Sequence, residues 1–215
     1  MPGLKPEMFP KAVASGADIV CIDLEDAIHS KDKDKAREKT MALMAEKPAA
    51  GAAETVVQVN TIRSHPGLLD LAAVIAAGEA GPPSLMLPKV ASADEVALIS
   101  GLLDDAGLAT TLHVIIEPSE GLEAAPAIAK ASNRVQALFF GAVDLSSDIG
   151  AQNAWELLLY ARSRVADAAA GLDAIDVPWL DLEDLDGMRA EAEASRSLSF
   201  VGKGSIHPQA DPGDP

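Results

Sequence analysis

The chain is 215 residues long, 48% hydrophobic and 23% charged, a balance that supports one folded core and excludes a disordered chain. Its 17 Lys and Arg stand against 33 Asp and Glu, a formal net charge of −16, and its densest basic stretch, Lys31 to Lys35, is broken by Asp32 and Asp34; a nucleic-acid partner, which needs a basic stripe, is excluded. No apolar run reaches the ~18–20 residues of a membrane span, the first residues lack the apolar segment of a signal peptide, and the single Cys21 rules out an intramolecular disulfide or thiolate metal cluster, so a cytoplasmic protein with no membrane partner is expected.

In chain order, Met1-Pro2-Gly3 reads as the stub of a strand, followed by a helix-like segment over 6–15. Short runs rich in Val, Ile and Leu then alternate with longer stretches whose apolar residues recur at three- and four-residue steps. Strands are predicted over 18–23, 55–60, 84–88, 111–117, 135–141, 174–177 and 199–202, and helices over 31–45, 67–77, 92–106, 121–131, 153–170 and 183–195. The strand runs are nearly continuously apolar, as when helices cover one sheet face and a packed interior covers the other. Cys21 falls in such a run and reads as an ordinary buried side chain. No Gly-rich phosphate loop joins a strand to a helix, which favours an α/β barrel of the TIM type, (β/α)8, over a doubly wound nucleotide-binding fold. Seven strands fall short of eight, so the barrel is expected to be truncated at its first strand and after its last, leaving an open edge beside 18–23. Residues 1–209 are read as a single barrel domain and 210–215, rich in Pro, Asp and Gly, as a disordered tail.

In such barrels the chemistry sits at the C-terminal ends of the strands. Those ends here carry Asp23, Glu25 and Asp26, then Asn60, Lys89, Glu117, Asp144, Asp176, and Lys203 with His207. Any one of them could be a loop polar group or a helix cap; all strands together place a charged or amide group on one rim. Glu117 and Asp144 follow consecutive strands, and hard carboxylate oxygens there suit Mg²⁺, which keeps several waters. His29, His65, His113 and His207 are scattered and do not make a zinc site; His113, inside an apolar strand, reads as a core histidine. No Gly-x-Ser-x-Gly elbow is present, and Ser146 and Ser147 read as parts of a short helical turn.

Taken together, these motifs resemble the citrate lyase beta-subunit-like branch of the HpcH/HpaI aldolase superfamily. The resemblance runs from Pro2 to Gln209. It rests on the run from Asp18 to Ala27, on Gln58-Val59-Asn60 with Asp70-Leu71, and on Leu87-Pro88-Lys89-Val90. Further along the chain it rests on Glu117 with Gly121-Leu122, Phe140 to Leu145 with Asp148 to Gly150, Tyr160 to Ser163, and Gly202 to Gln209. It implies a TIM-type barrel that binds Mg²⁺ and makes or breaks a carbon–carbon bond in a 3-hydroxyacyl thioester such as malyl-, citramalyl- or citryl-coenzyme A. Glu117 and Asp144 match the metal carboxylates, and Asp23, Glu25 and Asp26 match an acidic loop that orders metal-bound water. Cleavage beside a thioester carbonyl leaves negative charge on oxygen, which a metal and a fixed donor must neutralise.

The sequence departs from the family pattern at Gln58, where an arginine is usual; an amide donates a hydrogen bond but no charge. Lys5, Lys89 and Lys203 are read as contacts for the anionic coenzyme A. The resemblance also implies a homo-oligomer, a trimer or hexamer. Two alternatives stay open: an aldolase of 2-oxo acids from the same superfamily, and a catalytically weakened relative that binds a metal and an acidic metabolite.

Overall fold

A computed structural model of the chain describes residues 1–47, 49, 51 and 53–206. His207, Gln209 and the tail over 210–215 lie outside the described residues. The strands are β1 (Ile19–Asp23), β2 (Glu54–Gln58), β3 (Ser84–Leu87), β4 (Thr111–Ile116), β5 (Val135–Phe140), β6 (Asp173–Asp176) and β7 (Gly202–Lys203). The helices are α1 (Phe9–Val13), α2 (Lys33–Ala45), α3 (His65–Ala77), α4 (Ala93–Asp105), α5 (Ser119–Ile128), α6 (Ala142–Asp148), α7 (Trp155–Ala168) and α8 (Leu185–Ser197). The strands form one sheet in the order of the chain, and the pairs β1·β2, β2·β3, β5·β6 and β6·β7 are all parallel. This is a parallel α/β fold. No described helix is long and apolar enough to cross a membrane.

The chain divides into two compact units. The first comprises Met1–Pro88 and Leu98–Leu112; the second comprises Lys89–Ala97 and the residues from His113 onward.

In the first unit, register and pleat sort the side chains. Ile22, Val57 and Leu85 are partners across β1, β2 and β3 and are all fully buried. One residue further on, Asp23, Gln58 and Met86 form the next row and, by the two-residue period of a strand, point to the opposite face. Ahead of β1, Pro2 bridges Asp23 in parallel, with Gly3 N donating to Asp23 O at 2.8 Å and Asp23 N to Met1 O at 2.8 Å. The three-residue stub therefore pairs with β1 near its C-terminal end, and the open edge expected there is partly covered.

In the second unit, Phe139, Ile175 and Gly202 form one row across β5, β6 and β7, and Asp176 pairs with Lys203 on the other face. The last strand differs from the expected 199–202. Ser199 adopts φ 73°, its N–H donates to Arg196 O at 3.0 Å and Phe200 N–H donates to Ser195 O at 3.1 Å. These are the paired bonds of a Schellman cap on α8, so residues 199 and 200 belong to the helix end and pairing starts at Val201, whose N–H donates to Ala174 O at 2.9 Å.

Candidate active site

The acidic loop of the first unit is built on Asp23. One carboxylate oxygen accepts from Glu25 N at 2.6 Å and the other from Ala27 N at 3.2 Å. Both oxygens thus fold the turn that follows β1. Burial pushes the Asp23 carboxyl above its ordinary range, more strongly than these backbone donors hold it down. The turn buries the Glu25 side chain, 6% exposed, and leaves Asp26 in solvent. Gln58, at the end of β2, donates from Nε2 to Glu25 Oε2 at 2.8 Å, and its Oε1 lies 4.0 Å from the Cys21 thiol. A carboxylate accepts only, so this contact fixes which end of the amide is which. Cys21 is half-buried rather than fully buried, and desolvation pushes its thiol up to about 12, which leaves it an inert hydrogen-bonding group.

Asn60 does not join this face. Its Nδ2 donates to Leu24 O at 3.0 Å and to Asp70 Oδ2 at 2.6 Å, and Asp70, buried on α3, accepts from Arg37 Nε of α2 at 2.6 Å. Asn60 is a structural tie between β2, α3 and the acidic loop.

In the second unit Glu117 follows β4, is 5% exposed, and accepts from Lys89 N at 2.6 Å. Lys89 reaches that position with φ 54°, a left-handed conformation that disfavours any side chain and recurs where a site dictates the backbone. Gly141 N donates to Ile116 O at 3.0 Å, which brings the end of β5 beside the end of β4. A Cβ on Gly141 would come within 2.5 Å of Glu117 Cβ and 2.8 Å of Glu117 Oε2. Only glycine leaves that oxygen room. Asp144 stands three residues on, half-buried in the first turn of α6. Gly121, at the start of α5, would place a Cβ 2.2 Å from Val90 O, so it too is needed for the close approach of the segment after β3.

The model of the HpcH/HpaI aldolase/citrate lyase family matches residues 1–208. The chain belongs to this family. Among its relatives, the L-malyl-CoA/beta-methylmalyl-CoA lyase of Rhodobacter capsulatus is 28% identical over 97% of this chain and 74% of its own length. The citrate lyase subunit beta of Haemophilus influenzae is 32% identical over the same shares. The citrate lyase beta subunit of M. tuberculosis, solved with oxaloacetate and magnesium, superposes with a TM-score of 0.81 at 29% identity over 99% of this chain and 91% of that one. This member of the HpcH/HpaI family thus stands among carbon–carbon lyases.

The donor set suits a hard divalent cation. Glu117 keeps one oxygen beside Gly141 while the other is held by a backbone N–H, and the Asp144 carboxylate lies in the first turn of the helix that follows β5. Among the described residues no group of three or more His, Cys, Asp and Glu could hold a metal ion; Mg²⁺ takes one or two carboxylates and completes its shell with water and substrate oxygens.

Two residues expected on the rim turn the other way. Asp176 is 1% exposed and accepts from Arg162 Nε at 3.2 Å, Ser195 Oγ at 2.6 Å and Lys203 Nζ at 3.0 Å. Lys203 also donates to Glu191 Oε1 at 2.6 Å. The partners lie on α7 and α8, so Asp176 and Lys203 face the helices and the Lys203 charge is already matched by two carboxylates. Arg162 itself is buried between the rings of Phe140 and Trp155, 5.1 and 4.5 Å from their centroids. Of the other expected lysines, Lys5 is exposed and Lys89 half-buried. His113 is buried, with its ring edge-on to Phe139 at 5.8 Å, as a core histidine should be.

The alternating charges of Lys31 to Lys35 read as a solvated helix start, but Lys33 donates to Leu24 O at 2.9 Å and Glu25 O at 2.5 Å. Its signal was a cation in the first turn of a helix, where the macrodipole disfavours one. Gly141, Asp70 and Arg162 fall within the family motifs, and only the fold shows what each touches.

Proposed function

We propose that the chain is a Mg²⁺-dependent lyase that cleaves or forms a carbon–carbon bond in a 3-hydroxyacyl-coenzyme A thioester of the malyl, citramalyl or citryl type. The observation that carries this reading is Glu117, held by the Lys89 N–H on one oxygen and given space for the other by Gly141. The names of the relatives, lyases of malyl-CoA and citrate, support the substrate class.

Glu117 and Asp144 would hold the ion, which supplies a Lewis acid for the substrate's carboxylate and carbonyl oxygens. Glu25 and Asp26 are proposed to order water at the site and Asp23 to shape their loop. Gln58 offers its remaining amide hydrogen to developing negative charge, a weaker stabiliser than a guanidinium. Lys5 and Lys89 are assigned to the coenzyme A phosphates; Lys203 is left to its carboxylates. We further infer a TIM-type barrel domain over 1–209, a cytoplasmic enzyme, and assembly as a trimer or hexamer.

The test is turnover of malyl-, citramalyl- and citryl-thioesters and 4-hydroxy-2-oxo acids with Mg²⁺, for the parent, Glu117→Ala and Gln58→Arg. Cleavage of a thioester that falls at least about a hundredfold in Glu117→Ala, and stops with chelator, is expected. Turnover indifferent to both would remove the metal assignment. Cleavage confined to the oxo acids would make the protein a 2-oxo-acid aldolase, and activity appearing only in Gln58→Arg would make it a weakened relative.

A further inference from the structure

We propose that Lys33 is the positioning residue of the acidic loop, clamping the backbone carbonyls of Leu24 and Glu25 so that the Glu25 carboxylate is presented to Gln58 in one fixed geometry. The inference deepens the lyase reading and rests on it for its catalytic consequence.

The main chain of the loop is tied at Leu24 and Glu25. Leu24 N donates to Gln58 O at 2.9 Å, Leu24 O accepts from both Asn60 Nδ2 and Lys33 Nζ, and Glu25 O accepts from Lys33 Nζ and from Ile28 N at 2.9 Å. Lys33 brings a charged donor to both of these carbonyls. It opens α2, where a cation works against the helix dipole, and both of its hydrogen bonds go to carbonyls of the loop rather than to a carboxylate. A residue that breaks a local preference and gains a specific contact is there for the contact. The consequence reaches Gln58. Glu25 Oε2 accepts from Gln58 Nε2, so the direction of the amide depends on where the loop holds Glu25. Arg37, Asp70 and Asn60 buttress the same loop through Leu24 O, but none of them touches Glu25 O.

The test uses the full chain with Mg²⁺ and three variants, Lys33→Met, Lys33→Gln and Lys33→Arg. Two readouts are taken: steady-state cleavage of whichever of the malyl-, citramalyl- and citryl-thioesters the parent turns over, and amide hydrogen exchange over 24–28. In Lys33→Met kcat is expected to fall about tenfold or more with KM changed less than about threefold, and exchange over 24–28 to rise about tenfold while β1 to β3 keep their protection. Lys33→Arg, which retains the cation, should recover most of both. Should Lys33→Met fail to fold, Lys33→Gln, which loses the charge but not the polar tip, carries the same expectation. Unchanged exchange over 24–28, or faster exchange with kcat intact, overturns the proposal. A parent with no turnover on any substrate defeats the lyase reading instead, and the clamp is then decided by exchange alone.

Discussion

Glu117 owes its position to backbone on both sides. Lys89 accepts a left-handed φ of 54° to aim its N–H at one carboxylate oxygen, and Gly141 withholds a Cβ from the other. The contact that a methyl at 141 would make is with Glu117 Cβ, an atom next to the main chain that cannot swing aside. Gly141→Ala is therefore expected to displace the carboxylate, at a cost of about 1–3 kcal/mol in stability and about a hundredfold in Mg²⁺-dependent turnover. Urea denaturation reads the first and a Mg²⁺ titration of activity the second; an alanine variant with the parent's Mg²⁺ dependence would show that Glu117 is not where the metal binds. Glu117 and Asp144 could be singled out from spacing because they end or follow strongly apolar strands. The hold on Glu117 could not, since it lies in one main-chain N–H and in the close approach of Gly141, which only the fold brings to it.

Among the elements, β2, β3 and β4 were legible because most positions in them are buried, and β1, β5 and β6 because their buried Val, Ile, Leu, Ala and Phe stand out although each also carries half-buried or exposed positions. The ends of those strands were less so. A strand turns its side chains over at every residue, so an error of one position in a boundary exchanges the two faces, and Asp176 and Lys203 fall to the helices for that reason. Likewise α6 is seven residues long, too short for a period to show, and β7 has only two residues because Ser199 and Phe200 finish α8. The network around Asp176 joins β6, β7, α7 and α8. Lys203 and Arg162, with the Ser195 hydroxyl, outweigh its desolvation and hold its carboxyl below the ordinary 3.8. A folded-state value below the unfolded one contributes stability above about pH 4 and loses it as pH falls through the folded value. Asp176→Asn keeps the shape and leaves Arg162 and Lys203 with only Glu191, and breaking a buried pair from one side costs about 3–5 kcal/mol. Thermal melts at neutral pH should show that loss, and between pH 4 and 2 the variant should lose less further stability than the parent. Equal acid sensitivity would mean that other carboxylates govern acid unfolding.

At the scale of the whole molecule, a charge of −16 would face, in the proposed reaction, a substrate whose coenzyme A carries several negative phosphate charges. The two interactions differ in range. Repulsion by the summed charge acts over the Debye length, ~30 Å at 0.01 M salt and ~8 Å at 0.15 M, whereas a lysine–phosphate contact acts at touching distance and is screened less. Raising salt from ~0.01 to ~0.15 M should therefore remove most of the repulsion and keep most of the contact. For a coenzyme A thioester kcat/KM is expected to rise about threefold over that interval, with kcat steady, and for a small oxo acid of one charge it should barely move. Lys5→Gln should leave the rise in place while raising KM at both salts, because it would delete the proposed contact and hardly change the net charge. A fall in kcat/KM on adding salt would mean that the local field at the proposed coenzyme A site is positive, which takes more cations than the two proposed, Lys5 and Lys89.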